Sequence, residues 1–285
     1  MKTILISTDF SENATHAAEY GYHLAKQIKA NVILCNAFAI PVEMPEASMA
    51  VWPMYEYDEI MQSRDHDVKK LKENLEKKYP NGFQPGINCI NEAGALQDVI
   101  NEMTHKHDIE LIVIGTHCAN GLSSFIRGNH SRRMIDNTNR PLLLVPPKAE
   151  DLPVKKIAFA TDLDNISEDL DSIFKLITYA KLLNAEILLT YVDDLKYHSW
   201  RFKKHMEELL AELSNKADYP LIYYRLIKGR STESGLDWLC SHGQIDMLAM
   251  VHRPHSFFDE IINGSYTQKM AGHITKPLLV FPAKV

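Results

Sequence analysis

Between Leu111 and Pro146 the chain reads LIVIGTHCANGLSSFIRGNHSRRMIDNTNRPLLLVP, a stretch whose residue types and spacing suit the binding of an anion. An apolar run, Leu111 to Ile114, stops on Gly115 and gives way to a polar loop with glycines at Gly121 and Gly128. Asn129-His130-Ser131 then reads as a helix entry, and Pro141 precedes a second apolar run, Leu142 to Val145. Strand, glycine loop, helix N-terminus, strand is the order in which an α/β fold gathers backbone N–H groups and the positive end of a helix around a phosphate. Arg127, Arg132 and Arg133 flank the loop, where they either meet phosphate charge or stand solvated on the helix. Asp9 closes another apolar run and serves either as a ligand acceptor or as a carboxylate favouring the next helix N-terminus. His117, Cys118 and His130 lack the spacing of zinc ligands, so no metal is expected. Cys118, in a loop near a helix N-terminus, is the thiol best placed for reactivity.

These residues need elements to carry them, and the chain supplies the set twice. TILISTDF at 3–10 recurs as KIAFATDL at 156–163, matching Thr8 with Thr161 and Asp9 with Asp162 at a separation of 153. ANVILCNAF (30–38) recurs as AEILLTYVD (185–193). Further on, Gly94 matches Gly229, Gly128 matches Gly264 and Pro141 matches Pro277, now 135 or 136 apart. The change in offset places about twenty extra residues in the first copy, around 38–58, where a long loop is expected. Two domains follow, 1–147 and 154–285, joined by the polar KAEDLPV.

Each half reads β-α-β-α-β-α-β-α-β. The fold class is therefore α/β: two tandem Rossmann-like domains, each a five-stranded parallel sheet with helices on both faces. Ser11 caps the first helix, with Asp164 as its counterpart. Charged amphipathic helices are expected near 58–78 and 200–216. In such sheets ligands bind beyond the carboxyl ends of the strands, where Asp9, Asn36 and Gly115 all fall.

Composition bounds the function. A net charge of −6 argues against broad binding to nucleic acid or anionic membranes, and no apolar run has membrane-spanning length. MKTILISTDF lacks the pattern of a signal peptide, and the four cysteines form no C-x-x-C pair, so a reduced, cytoplasmic protein is expected.

The first-strand Thr-Asp with its capped helix, the glycine after the middle strand (Gly94, Gly229) and the glycine loop together resemble the universal stress protein family in its tandem form. The resemblance covers each half once and implies the adenine nucleotide α-hydrolase-like variant of the fold. It further implies a site for ATP or AMP in the first half, with Thr8, Asp9, Asn36 and Ala37 about the adenine. Gly115, Arg127, Gly128, Asn129 and Ser131 would then surround the ribose and phosphates. The family loop is G-x2-G-x9-G-[ST]. The first half keeps two of its glycines, as Gly115-x2-Cys118-x9-Gly128-Asn129. The second half, Val251-x2-Pro254-x9-Gly264-Ser265, keeps only the end, leaving a degenerate site of Asp162, Val192, Gly264 and Ser265. If those glycines adopt positive φ in the family, side chains there cost about 1–3 kcal/mol each.

By the same resemblance the chain is a stress-response module that interacts with a partner protein, not an enzyme of high turnover. No Walker lysine motif is present, and slow ATP hydrolysis or autophosphorylation rests on family analogy alone. The alternatives are a scaffold of the same family without nucleotide, and an enzyme or flavoprotein of related fold. The closing strands PLLLVPP and PLLVFPA can pair within one chain as a pseudo-dimer, with a homodimer left open. The segment 41–57, rich in Met, Pro and aromatics, reads as a lid or as an interaction surface.

Overall fold

The computed structural model describes residues 2–39, 54–116, 129–161, 166–193, 199–252 and 275–282. Its contacts divide the chain into two compact units, Met1–Gly115 and Thr116–Val285.

The first unit holds β1 (Thr3–Ser7), α1 (Glu12–Ile28), β2 (Asn31–Phe38), α2 (Met54–Lys78), β3 (Ile87–Ala93), α3 (Leu96–Lys106) and β4 (Ile109–Gly115). Its strands lie in the order β3-β2-β1-β4, all parallel. The continuous apolar runs predict strands covered on both faces, and Ile4, Leu5, Ile6, Ile112 and Val113 are indeed buried. Each such side chain contributes about 1.5–3 kcal/mol on burial. α1 starts where Ser11 accepts the Ala14 N–H at 3.3 Å and stops at Lys29, which adopts the left-handed conformation. Its small face lets it lie close to the sheet: a Cβ at Gly21 would stand 2.9 Å from the Ile6 side chain. α2 begins at Met54, so the insertion is helical from that point, ahead of the expected start at 58. Residues 40–53 lie outside the described residues.

The second unit holds α4 (Asn129–Asn137), β5 (Leu142–Val145), β6 (Lys156–Ala160), α5 (Ile166–Leu183), β7 (Glu186–Asp193) and α6 (Ser199–Lys216). It continues with β8 (Ile222–Lys228), α7 (Thr232–His242), β9 (Met247–His252) and β10 (Leu278–Pro282). Its strand order is β5-β10-β9-β6-β7-β8. The recorded pairs are parallel except one: β10 runs antiparallel to β5, with Leu278 opposite Leu144 and Leu279 opposite Leu143. The closing strands of the two repeats thus pair with each other, which puts β5 in the second unit although it ends the first repeat.

The same backbone bonds recur in each unit. Thr8 N–H donates to Cys35 O at 2.9 Å and Thr161 N–H to Thr190 O at 3.0 Å. Gly94 N–H donates to Phe38 O at 2.9 Å and Gly229 N–H to Asp193 O at 3.1 Å. Among the described residues no helix is long and apolar enough to cross a membrane.

Candidate functional site

The chain leaves β1 through a tight turn built from its own side chains. The Thr8 hydroxyl oxygen accepts the Phe10 N–H at 3.0 Å, and Asp9 Oδ1 accepts the Ser11 N–H at 3.0 Å. Phe10 is thereby held at φ 63, a left-handed conformation that costs a non-glycine residue about 1–3 kcal/mol. Such strain persists only where neighbours impose it, and here the Arg64 guanidinium of α2 lies 6.0 Å above the Phe10 ring. Asp9 stays exposed at the positive end of α1.

Below this turn the sheet carries polar groups that the fold leaves short of partners. Asn36, 1% exposed, donates Nδ2–H to Thr8 O at 2.7 Å, which fixes the amide and leaves its Oδ1 buried with no donor among the described residues. Asn91 stands opposite Asn36 in the register, donates to Asp65 Oδ1 at 2.6 Å, and likewise keeps a buried, unpaired Oδ1. His16 Nε2, on the second turn of α1, is a third such atom. A buried polar atom without a partner costs about 1–3 kcal/mol. Three in one region mark it as a place where the fold gives up stability.

Thr8, Asp9, Asn36, Ala37 and Gly115 therefore do gather at the carboxyl ends of the adjacent strands β2, β1 and β4. Gly115 has a different reason from the one expected. Among the described glycines only Gly82 and Gly94 have positive φ. At Gly115 the first turn of α1 comes too close for a side chain, since a Cβ would lie 2.7 Å from Asn13 O and 3.2 Å from Ala14 Cα. Asn129 and Ser131 fall in the first turn of α4, their side chains outside the described residues. Arg127, Gly128, Cys118 and His117 lie outside the described residues altogether, as do Asp162, Asp164, Gly264 and Ser265. The sequence reading missed Arg64, Asn91 and His16. Asn91 was visible in principle, as a polar residue inside INCINEA.

The second unit meets the same need internally. The Thr161 hydroxyl donates to the carboxylate of Asp169, a side chain only 2% exposed on α5. Asp169 follows its strand-end threonine by eight residues, as His16 follows Thr8. Val192, 7% exposed, fills the end of β7 and packs on Gly235 of α7, where a Cβ would lie 2.8 Å from Val192 Cγ2.

Burial holds the Cys35 and Cys240 thiols neutral, pushed up to about 12. Neither should react with a thiol reagent at pH 8 in the native state, while both should in urea; labelling of Cys35 in the folded protein would contradict its burial. The linkage runs one way. A thiol raised above its ordinary 9.0 adds stability that is complete below pH 9 and lost as pH climbs from there toward 12.

Comparison with known proteins gives a consistent answer. The family model described as Universal stress protein family matches residues 1–146. A universal stress protein of Methanocaldococcus jannaschii is 27% identical over 153 residues, covering 52% of this chain and 85% of that protein. Among solved structures, a universal stress protein from Archaeoglobus fulgidus aligns over 98% of both chains at 13% identity, with a TM-score of 0.67. A putative universal stress protein from Pseudomonas aeruginosa aligns over 99% of this chain and 94% of that one at 12% identity, TM-score 0.58. Those two likenesses concern the fold.

Proposed function

The chain belongs to the universal stress protein family, and on that premise we propose that its first half binds an adenine nucleotide, ATP or AMP, and works as a regulatory interaction module. The reading rests chiefly on one observation: toward the strand ends of the first unit and at the start of α1, buried polar atoms of Asn36, Asn91 and His16 have no partner among the described residues. In the second unit the residue at the position of His16 is Asp169, whose carboxylate already accepts the Thr161 hydroxyl. Ala37 stands near the strand end in the first unit where the second has the larger Val192, which packs on Gly235. In this reading Asp9 and Asn36 take the adenine side, and Asn129 and Ser131 are the residues that the family resemblance implies for the phosphates. The second-half residues Asp162, Val192, Gly264 and Ser265 hold no nucleotide.

A scaffold without nucleotide is the second reading. It is favoured by Asp9, whose Oδ1 already accepts the Ser11 N–H and needs no ligand to explain it. Titration calorimetry with ATP and with AMP separates the two. The proposal expects a Kd tighter than about 100 μM, or about −5.5 kcal/mol, and a loss of roughly tenfold or more in Asp9→Ala, the size of a charge-assisted hydrogen bond. No heat from either nucleotide at millimolar concentration would leave the scaffold reading standing.

A further inference from the structure

The outer edge of the second unit differs in kind from its counterpart in the first. β8 ends the strand order of its unit, and among the described residues only β7 pairs with it, which leaves the backbone N–H and C=O groups of its far side without a strand partner there. Tyr223, Arg225 and Ile227 share one face of the strand. Arg225 donates to Gly243 O, the C-cap of α7, at 3.2 Å, which identifies that face as the one α7 covers. On α7, Trp238 stacks on His242 with ring centroids 5.7 Å apart. Tyr223 and Trp238 are 48% and 49% exposed, and Tyr224, on the opposite face, is 56% exposed.

The first unit supplies the control. At the matching positions of β3 and α3 it carries Asn88 in place of Tyr223, and Glu102 and Lys106 in place of Trp238 and His242. Glu102 and Lys106 form an ion pair of 2.5 Å, an ordinary solvated helix surface. At matching positions of the last strand before the crossover and of the helix after it, the first unit is therefore polar and the second aromatic. The fold itself does not call for aromatics there. Large aromatic rings at an open strand edge are an aggregation liability unless something covers them.

Charge indicates what covers them. From Tyr219 to Thr232 the charged residues are Arg225, Lys228 and Arg230, with no acid, in a chain whose net charge is −6. The acids of α7, Glu233 and Asp237, lie on the helix and not along the strand. We propose that β8 takes an extended acidic segment of a partner protein as an added strand, with alternate apolar side chains of that segment lying on Tyr223 and Trp238. The backbone ladder supplies affinity, the aromatic face selects apolar residues at every second position, and Lys228 and Arg230 select acidic ones. A single-stranded nucleic acid could use the rings and the cations but leaves the ladder unpaired, so the edge favours the peptide.

The test is selection of binders to the full chain from a displayed library of random peptides about twelve residues long, long enough to pair the whole strand. The selected peptides should be acidic, alternate apolar residues and avoid proline. A selected peptide should lose binding when a central residue is changed to proline. Tyr223→Ser and Trp238→Ser should each weaken it roughly tenfold or more, as truncation of an aromatic anchor does. Both side chains are half exposed, so the melting midpoint should stay unchanged. Lys228→Glu with Arg230→Glu should weaken binding further and remove its salt dependence. Selection of no peptide sensitive to these four residues overturns the proposal. So does a proline-tolerant binder, or displacement of the peptide by an oligothymidylate that itself binds through Tyr223 and Trp238.

Discussion

Gly235→Val is expected to cost about 3 kcal/mol, and Val192→Ala introduced beside it to recover most of that loss. A side chain at 235 enters the space held by the two methyls of Val192, at the buried junction of α7 and β7. The β-branched valine cannot swing clear within a sheet. Val192→Ala alone opens a cavity and should cost about 2 kcal/mol. Together the two changes reproduce the residues of the first repeat, where Ala37 is next to last in the strand and Val99 stands on the helix. The glycine after the third strand accepts either version. A Cβ at Gly94 would lie 3.3 Å from Val99, and one at Gly229 would lie 3.2 Å from Val192. Urea unfolding of the four proteins of the cycle gives the coupling. Strictly additive losses would show that the two residues do not share one volume.

Gly115→Val should be worse, with a loss of more than about 3 kcal/mol and no second change to relieve it. Here the obstacle is backbone, Asn13 C and O and Ala14 Cα, at the first turn of α1. Relief would require the helix to back away from β4, which would also move the Asp9 turn that precedes it. The variant should therefore lose stability in thermal unfolding and, in calorimetry, the nucleotide binding proposed for the first half. A soluble Gly115→Val protein with an unchanged melting midpoint would show that α1 does not press on the end of β4.

What the sequence made legible was local. Apolar runs marked the strands, Ser11 marked the start of α1, and recurring Thr-Asp and glycine positions marked the duplication. Gly115 ends β4, and what excludes a side chain there is close approach of α1 and not the positive φ that the family loop raised, because the two leave the same trace in a sequence. Arg64 over Phe10, Asp65 beside Asn91 and Asp169 beside Thr161 were not legible. Each depends on how far a helix is displaced along the sheet, a distance between layers that periodicity within one element does not record. Tyr223 and Trp238 fit the strand and helix patterns as core residues, and only the open edge of β8 shows that they are half exposed.

The antiparallel joint between β5 and β10 also sets a schedule for biosynthesis. Its paired residues, such as Leu143 and Leu279, are 136 apart in the chain, and the later one arrives near residue 280. While the ribosome is still working through the second repeat, the leucines of β5 wait without the neighbour that will cover their hydrogen-bonding side. A nascent chain stalled before Leu278 would present that bare rung to other chains, so truncation before β10 should increase the fraction of the chain found in inclusion bodies.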